Sequence, residues 1–418
     1  MQDRLREAAP VLQRLHDTGF EGYYVGGCVR DSVLGRPVND VEIATSATPE
    51  EMMELFPRHV PTGLQHGTVT VLEGGCAYEV TTFREESVYE AHRRPAGVAF
   101  IRELEGDLLR RDFTINAMAM RIDGTVIDPF GGMADIGKGI IRCVGDADAR
   151  FQEDALRMLR GVRFAAAFGY RFAHRTWRAL LRHRGLLRHI AMERVGAELD
   201  KIVAGADPAR GIALAHRARL WELTKTPLPL SRERRLDEAP ACADLRALTG
   251  LSDPNRRWAA VWLASGMDEQ AALAWMKGFA LGHKRLAAIQ AVMKLHRTLA
   301  AAPEPSRAAW TELVLAHGPE AASDAIALGR YAPALTPAAS VDWNRLAAWL
   351  AAMPVFKARD LAIGGHELAR LGGRKPGAWI RLLQEELLRA VAAGEVPNDR
   401  DLLRTEAERR LQDQEEHR

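Results

Sequence analysis

VNDVEIAT, residues 38 to 45, alternates apolar and polar side chains as a half-buried β-strand does. On such a strand Asp40 and Glu42 project from one face, whereas Val41 and Ile43 project from the other. Two neighbouring carboxylates repel each other unless a cation lies between them. The pair therefore indicates either the solvent-exposed face of an ordinary strand or a metal site, and the residues around it decide between the two.

Gly26 and Gly27 precede this segment and follow another predicted strand, residues 23 to 25. Glycines after a strand let backbone N–H groups approach a phosphate closely, and a helix that begins there adds positive potential. Arg30 supplies a planar charged donor at the same place. A Gly-Gly pair alone is usually a turn, but together with D-x-E on the next strand it predicts a phosphate cradle beside a metal site. Nucleotidyl transfer requires both parts.

The sequence changes character near residue 150. Before that point, periods of 2 and 3.6 residues are mixed, whereas the remainder is rich in Ala, Leu and Arg at helical spacing. The predicted fold class is α+β, with a mixed N-terminal head followed by an all-α remainder. The chemistry is expected in the head.

Local signals predict individual elements. Thr48, Pro49 and Glu51 are the residue types expected at the N-cap, first and third positions of a helix. Gly74 and Gly75 mark the turn of a hairpin. The predicted elements are a helix over residues 3–17, a strand over 38–45, a helix from 49, a hairpin over 67–83, and helices over 110–120 and 152–169.

Composition favours a folded protein of a reducing compartment. With 418 residues, 47% of them apolar, the chain is long enough for about two to four domains. Its four cysteines show no C-x-x-C spacing, which argues against a zinc knuckle and against a disulfide framework. No apolar run approaches the roughly 20 residues that span a bilayer, and the N-terminus lacks a signal-peptide core. We therefore expect no membrane association and a cytoplasmic location.

A basic ridge is predicted on the helix over 152–169. Asp154, Arg157, Arg160 and Arg163 recur at steps of three, along one side of a helix. An ion pair would explain one Asp and one Arg, but three Arg exceed that need. Between residues 150 and 190 the sequence has ten Arg and only two acids, so an anionic partner is expected.

Six motifs, in order, make the sequence similar to a known family. They are GGCVRDSVLG, NDVEIATSATPEE, YEVTTFREE, RRDFTINAMAM, DPFGGMADI and RFQEDALRMLRGVRF. The chain resembles the class II tRNA nucleotidyltransferases, which comprise the CCA-adding enzymes and bacterial poly(A) polymerases of the DNA polymerase β superfamily. The resemblance covers about residues 20–205 and continues more weakly beyond them. It implies a polymerase β-like head over 1–145, a helical neck over 146–205, a helical body over 206–305 and a helical, tRNA-binding tail over 306–418.

The resemblance implies that Mg²⁺ is the cofactor and that Asp40 and Glu42 are its ligands. The family usually has Asp-x-Asp here, so Glu42 is a departure, and its extra methylene could shift the metal and slow turnover. Glu79 is either a third acidic group that serves the attacking hydroxyl or a strand-face carboxylate paired with an Arg, and both interpretations stay open. No covalent enzyme intermediate is expected.

The resemblance also implies a nucleotide-binding set around these carboxylates. One part would hold the triphosphate, a second would recognise the ribose and its 2′-hydroxyl, and a third would act as a protein template for the base. In the template, a carboxylate accepts from the amino group of cytosine or adenine and an Arg donates to the adjacent ring nitrogen, so uracil and guanine are mismatched. These parts are, in order, Gly26, Gly27 and Arg30; Arg111, Asp112 and Asn116; and Asp154 and Arg157, with Arg160 and Arg163 lining the same pocket.

The expected function is template-independent addition of C, C and A to tRNA 3′ ends from CTP and ATP, with release of pyrophosphate. The alternatives are A-only addition, CC-only addition and poly(A) synthesis, and the non-enzymatic alternative is a catalytically weak RNA-binding protein on the same fold. In CCA-adding members a loop, here between Arg84 and Arg102, helps the base pocket change from CTP to ATP. The chain keeps this loop, although Ala91 stands where an acidic residue is expected. The expected partners are tRNA, ATP and CTP, and both a monomer and a homodimer are compatible with the sequence.

Overall fold

A mixed β-sheet and surrounding helices form the N-terminal part of the chain. The structure is a computed structural model that describes residues 2–86, 89–90, 94–95, 98–227, 245–333, 340–373 and 375–416. The chain divides into two compact units, residues 1–229 and 230–418. The strands are β1 (Gly22–Val25), β2 (Glu42–Thr45), β3 (His59–Val60), β4 (Thr68–Glu73), β5 (Cys76–Thr82), β6 (Arg84–Glu86), β7 (Tyr89–Glu90), β8 (Arg94–Pro95), β9 (Val98–Phe100), β10 (Ala119–Met120), β11 (Val126–Ile127), β12 (Ile140–Ile141) and β13 (Arg171–Phe172).

Seven of these strands form one sheet in the order β11-β10-β1-β2-β5-β4-β3. β2 and β5 run parallel, and the other neighbours are antiparallel. The register places Val25, Glu42 and Glu79 in one row across β1, β2 and β5. Because paired residues project from the same face, the carboxylates of Glu42 and Glu79 share a face of the sheet. The mixed sheet confirms the predicted α+β class.

The first unit also contains ten described α-helices. They are α1 (Asp3–Asp17), α2 (Gly27–Val33), α3 (Pro49–Leu55), α4 (Leu104–Leu109), α5 (Gly132–Lys138), α6 (Ala147–Glu153), α7 (Leu156–Phe168), α8 (His174–His183), α9 (Met192–Ala204) and α10 (Pro208–Arg217). The main apolar core joins α1 to one sheet face, and Leu12 and Ile43 are fully buried there. Each such side chain contributes about 1.5–3 kcal/mol through burial. Since Ile43 faces this core, Glu42 and Glu79 project from the opposite face.

Several predicted elements are confirmed. α1 covers the predicted residues 3–17, and β4 and β5 form the predicted hairpin around Gly74 and Gly75. At the start of α3, the Thr48 hydroxyl accepts from the backbone N–H of Glu51 at 3.3 Å. The Glu51 carboxylate accepts from the backbone N–H of Thr48 at 2.8 Å. This reciprocal pair is the predicted capping box.

The strand predicted over residues 38–45 is shorter than expected. β2 begins at Glu42, so the prediction that Asp40 lies on the strand is wrong. The register explains the difference, because Glu42 pairs with Val25 and the chain leaves β1 at the next residue to enter α2. The alternation of burial nevertheless extends further, since Val41 is buried and Asp40 and Glu42 are exposed.

The segment RRDFTINAMAM is not the predicted helix. A 3₁₀ turn covers only Thr114–Asn116, and Ala119–Met120 forms β10 beside β1. Phe113, Ile115 and Met118 are fully buried. A strand position between other strands can bury side chains on both faces, so tertiary packing outweighs the helical propensity of this segment.

The helix predicted over residues 152–169 is broken at Asp154. This residue has extended backbone angles, φ −140° and ψ 104°, and separates α6 from α7. Its carboxylate accepts from the backbone N–H of Leu156 at 3.0 Å. Asp prefers this position before a helix to one within it, because its side chain competes for backbone N–H groups. The prediction that Asp154 shares one helical ridge with Arg157, Arg160 and Arg163 is therefore wrong, and only the three arginines lie on α7.

The described residues of the second unit form helices and the short segments that connect them. Trp258, Trp262 and Trp310 are at most 1% exposed and anchor its interior. Its α-helices are Pro254–Ser265, Glu269–Met276, His283–Ala301, Arg307–His317, Pro319–Tyr331, Trp343–Ala351, Gly365–Leu371, Ala378–Ala393 and Arg400–Glu416. Over the described part of the chain, every helix is too short or too polar to cross a membrane. The finer division into head, neck, body and tail stays a prediction.

The loop predicted to help the base pocket change between nucleotides is described only in part. Residues 87–88, 91–93 and 96–97, and with them the prediction about Ala91, lie outside the described residues. At the two ends of the loop, β6 pairs with β9 in antiparallel register. The loop therefore begins and ends at neighbouring points of the first unit.

Candidate active site

A polar cavity of about 810 Å³ opens where β1 ends and β2 begins. Its lining contains every residue that the sequence predicts for the metal, the triphosphate, the ribose or the base. These residues are Asp40, Glu42 and Glu79; Gly26, Gly27 and Arg30; Arg111, Asp112 and Asn116; and Asp154, Arg157, Arg160 and Arg163. The fold thus brings side chains from distant parts of the sequence into one site, while their individual roles stay predictions.

Gly26 lets the chain turn sharply from β1 into α2 beside the carboxylates. Its φ is +74°, a conformation that favours glycine. A Cβ at this position would lie 2.7 Å from Nη1 of Arg111 and 2.8 Å from Oε2 of Glu42. At Gly27 the nearest atom to a Cβ would be Nη2 of Arg30, at an ordinary 3.6 Å. The first glycine is therefore required by both conformation and space, and the second by neither.

Gly26→Ala is expected to lower the free energy of unfolding by about 1–3 kcal/mol, because the backbone is strained and the new Cβ displaces Glu42 or Arg111. Gly27→Ala serves as the matched neighbour and should change that free energy by less than about 1 kcal/mol. Urea unfolding of both variants measures the difference. Equal losses at the two positions would contradict this account of Gly26.

Glu42 contacts a guanidinium as well as the cavity. Its Oε2 lies 3.8 Å from Nη1 of Arg111, and 53% of its side chain is exposed. Arg111 also donates from Nη2 to Asp107 at 3.3 Å. An ion pair with one partner this exposed contributes at most about 1 kcal/mol. The main effect of this ion pair is to hold Arg111 next to the carboxylates of Asp40 and Glu42.

The carboxylates fit Mg²⁺ by their chemistry. In proteins Mg²⁺ is usually bound by one or two carboxylates together with substrate phosphates, and seldom by protein ligands alone. Asp40 and Glu42 are exposed carboxylates in the cavity lining. Across the described residues, no three or more His, Cys, Asp or Glu side chains group closely enough to hold a metal ion by themselves. This donor set suits an ion shared with a phosphate-bearing substrate.

The buried carboxylate of Asp112 connects several parts of the site. It accepts from Nε of Arg160 at 2.7 Å, from Nδ2 of Asn116 at 3.0 Å and from the backbone N–H of Phe113 at 2.8 Å. Burial alone would raise the pKa of Asp112, but the charge of Arg160 and the hydrogen bond from Asn116 outweigh burial and hold that pKa at about 2. Asn116 in turn accepts from Nη1 of Arg30 at 2.6 Å. Asp112 therefore stays ionised at neutral pH and orients its neighbours.

Three arginines of the lining keep donors for a ligand. A guanidinium carries five N–H donors. Arg160 and Arg163 each use Nε, the latter on Glu198 at 2.7 Å. Arg30 uses Nε and Nη2 on the Asp31 carboxylate at 3.0 and 2.8 Å. The terminal nitrogens of Arg160 and Arg163 have no hydrogen-bond partner among the described residues, so both can bind phosphate or base oxygen and nitrogen acceptors.

The predicted base template is held by two further side chains. Asp154 accepts from Nη2 of Arg194 at 2.8 Å. Arg157 donates to the Glu153 carboxylate at 2.9 Å and to the carbonyl oxygen of Arg110 at 3.0 Å. Glu153 and Arg194 were not predicted. The i, i+4 spacing of Glu153 and Arg157 is a signal that could have found the first.

Known protein families match three separate parts of the chain. Residues 22–142 match the poly A polymerase head domain, and residues 250–407 match tRNA nucleotidyltransferase domain 2. Residues 169–224 match a region described as "Probable RNA and SrmB- binding site of polymerase A". The CCA-adding enzyme of Geobacillus thermodenitrificans is 40% identical over 403 residues, which are 96% of each chain. The chain belongs to the CCA-adding enzymes. The CCA-adding enzyme of Leuconostoc mesenteroides is 37% identical over 98% of this chain and 97% of its own.

Solved structures of CCA-adding enzymes share the fold. A crystal structure of the Bacillus stearothermophilus CCA-adding enzyme in complex with CTP matches with a TM-score of 0.84 and 35% identity, over 100% of each chain. The Thermotoga maritima CCA-adding enzyme complexed with tRNA matches with a TM-score of 0.67 over 98% of this chain and 96% of its own. At 22% identity the second likeness shows the fold alone. Membership in the CCA-adding enzymes confirms the resemblance in the sequence and makes the chain a tRNA nucleotidyltransferase.

Proposed function

We propose that this CCA-adding enzyme adds C, C and A to the 3′ end of tRNA from CTP and ATP, without a nucleic-acid template and with release of pyrophosphate. The proposal is carried by one observation: the two exposed carboxylates, the glycine pair and the arginines with unused donors line the same cavity. Because the substrate would be tRNA, we place the activity in the cytoplasm. Monomer and homodimer both stay open.

The metal site of this proposal consists of Asp40 and Glu42 holding Mg²⁺. When bound there, the ion would lower the pKa of the attacking 3′-hydroxyl and offset the charge of the departing pyrophosphate. Because Gly26 and Gly27 lack side chains, a phosphate could approach their backbone N–H groups beside the carboxylates. Arg30 would bind the triphosphate. Glu79, in register with Glu42, would serve the attacking hydroxyl. The reaction needs positioning and charge stabilisation rather than a covalent intermediate.

Base selection in this proposal depends on Asp154 and Arg157. Cytosine and adenine both carry an amino group beside a ring nitrogen, so one acceptor and one donor suit both bases. Arg194 and Glu153 would keep the two template side chains in place. Arg111, Asp112 and Asn116 would recognise the ribose from the adjoining part of the cavity.

The tRNA would lie along the helical part of the chain. Arg171, Arg175 and Arg178 are exposed within the residues that match the RNA-binding region of polymerase A. Phosphate contacts of this kind carry no sequence information, which suits an enzyme that accepts every tRNA by shape.

One assay tests the proposal against its alternatives. The protein is incubated with Mg²⁺ and with tRNAs that lack CCA, CA or the final A, and CTP alone, ATP alone or both are supplied. Completion of all three substrates with both nucleotides is expected. Extension limited to C residues or to the final A would indicate a CC-only or A-only enzyme, and growth past one A would indicate poly(A) synthesis. No extension of any substrate would favour an RNA-binding protein without activity.

Glu42→Asp is expected to preserve or raise the rate of extension, because the shorter carboxylate is the usual residue at this position in the family. The shorter side chain also loses its 3.8 Å contact with Arg111. Because an ion pair this exposed contributes at most about 1 kcal/mol, the Mg²⁺ concentration that gives half of the maximal rate should change by no more than about tenfold. Single-turnover extension at a series of Mg²⁺ concentrations measures both quantities.

Glu54→Asp is the matched control, because Glu54 is an exposed carboxylate on α3 outside the cavity lining. It loses the same methylene and should leave both quantities unchanged. A more than tenfold loss of rate in Glu42→Asp alone would mean that this site is built around the longer side chain.

A further inference from the structure

Three arginines of the candidate site surround one aromatic ring. The ring belongs to Phe164 on α7, which is 5% exposed. The guanidinium carbon of Arg163 lies 4.2 Å from the ring centroid, that of Arg30 lies 5.3 Å from it and that of Arg160 lies 5.6 Å from it. A cation within about 6 Å of an aromatic centroid is attracted by the negative face of the ring. Arg30, Arg160 and Arg163 come from two separate segments, so the ring is a support that they share.

Each of these arginines also has a carboxylate partner. Arg30 is held by Asp31 at both Nε and Nη2, whereas Arg160 and Arg163 are each held at Nε alone. Arg160 pairs with Asp112, and Arg163 pairs with Glu198, both at 2.7 Å and both through Nε. A single contact at Nε leaves the two terminal nitrogens of a guanidinium free to swing about that point. A second contact, with the face of the ring, restricts that motion and favours one direction for the unused donors.

Other rings hold Phe164 itself in place. Phe113 meets it edge to face, with centroids 6.0 Å apart and an interplanar angle of 84°. Phe168, one turn further along α7, stacks on it with centroids 6.0 Å apart. The centroid of Phe168 is 4.9 Å from the guanidinium of Arg30. Arg30 therefore lies against two rings, and the aromatic cluster has a rigid geometry that a flexible aliphatic side chain would lack.

We propose that Phe164 is a positioning residue for nucleotide binding. Through the charge distribution of its ring it orients Arg30, Arg160 and Arg163, so that their unused N–H groups face the nucleotide. This inference rests on the proposed function, because it assigns a task to arginines of the proposed nucleotide site. If Phe164 acted through apolar packing alone, any side chain of the same shape would support nucleotide binding equally well.

A fluorination series at position 164 tests the proposal in the full-length protein. Site-specific incorporation of 4-fluoro-, 3,5-difluoro- and 3,4,5-trifluorophenylalanine weakens the negative face of the ring in steps while nearly keeping its shape. The dissociation constant for CTP, measured by equilibrium titration, is expected to rise at each step, by about three- to tenfold in total. In tRNA extension, KM for CTP should rise in parallel while kcat changes little, and the melting temperature should stay constant.

The same series at Phe151 is the matched control. Phe151 is fully buried on α6 and does not line the cavity. Fluorination there should leave CTP binding unchanged. A flat series at Phe164 would overturn the inference even if the protein adds CCA normally. Rising dissociation constants in a protein that fails to extend tRNA would keep the inference and overturn the proposed function, and failure of the unmodified protein to bind CTP would overturn both.

Discussion

Asp40→Asn is expected to lower tRNA extension by at least about a thousandfold, which corresponds to about 4 kcal/mol of transition-state stabilisation. The amide keeps the size of the side chain but removes the negative charge that would hold Mg²⁺. Asp40 makes no hydrogen bond or ion pair with any described residue, so its replacement should leave the free energy of unfolding unchanged. Single-turnover extension of a tRNA that lacks CCA, with saturating CTP and ATP, measures the loss.

Two further measurements separate catalysis from folding in this variant. Binding of tRNA, measured by gel shift, should be within about threefold of that of the unmodified protein, because the helical part of the chain is untouched. Glu54→Gln removes the same charge from an exposed site on α3 and should keep full activity. If Asp40→Asn loses tRNA binding together with extension, the carboxylate has a structural role and the metal assignment fails.

The parts of the fold that were predicted correctly depend on short-range signals. Thr48 and Glu51 are three residues apart, and their capping box requires nothing from the rest of the chain. Gly74 and Gly75 determine the hairpin of β4 and β5 in the same way. Burial also alternates from Val41 to Ile43 as predicted, although β2 is shorter than expected.

The errors occur where distant contacts outweigh local preference. The segment of Phe113 and Met118 has helical composition, yet both side chains are fully buried, and the segment ends as strand β10 beside β1. The break at Asp154 depends on a carboxylate that accepts from Leu156 and from Arg194, and the latter partner lies on α9. A periodicity of three residues could not reveal that contact.

The candidate site shows the same division. Resemblance to the family named thirteen of the residues that line the cavity, because their motifs are contiguous in sequence. It did not name Glu198, which pairs with Arg163, or Arg194, which pairs with Asp154. These contacts join α9 to α7 and to the residue between α6 and α7, so only the three-dimensional structure reveals them.

Asp154→Asn is expected to lower kcat/KM for CTP by about a hundredfold and to reduce discrimination against UTP by a similar factor. A site built to hydrogen-bond a particular group rejects an analogue that lacks it by up to about 10⁴–10⁵-fold, so a change of acceptor into donor has a large effect. The amide oxygen is expected to stay on the backbone N–H of Leu156, where the carboxylate oxygen now lies at 3.0 Å. Its NH₂ group then replaces the oxygen that accepts from Arg194 at 2.8 Å. This group needs an acceptor, which the O4 of uracil provides and the amino group of cytosine does not.

Asp207→Asn is the matched control for this substitution. Asp207 caps α10 by accepting from the backbone N–H of Arg210 at 2.9 Å, and Asn caps a helix about equally well. Incorporation of CTP and UTP into a tRNA that lacks CCA, measured separately for each variant, gives the two kcat/KM values. An equal loss of kcat/KM for CTP and UTP in Asp154→Asn would mean that the carboxylate only stabilises the start of α7. Discrimination between the bases would then have to come from Arg157, because its guanidinium would be the remaining template group that can distinguish the two pyrimidines.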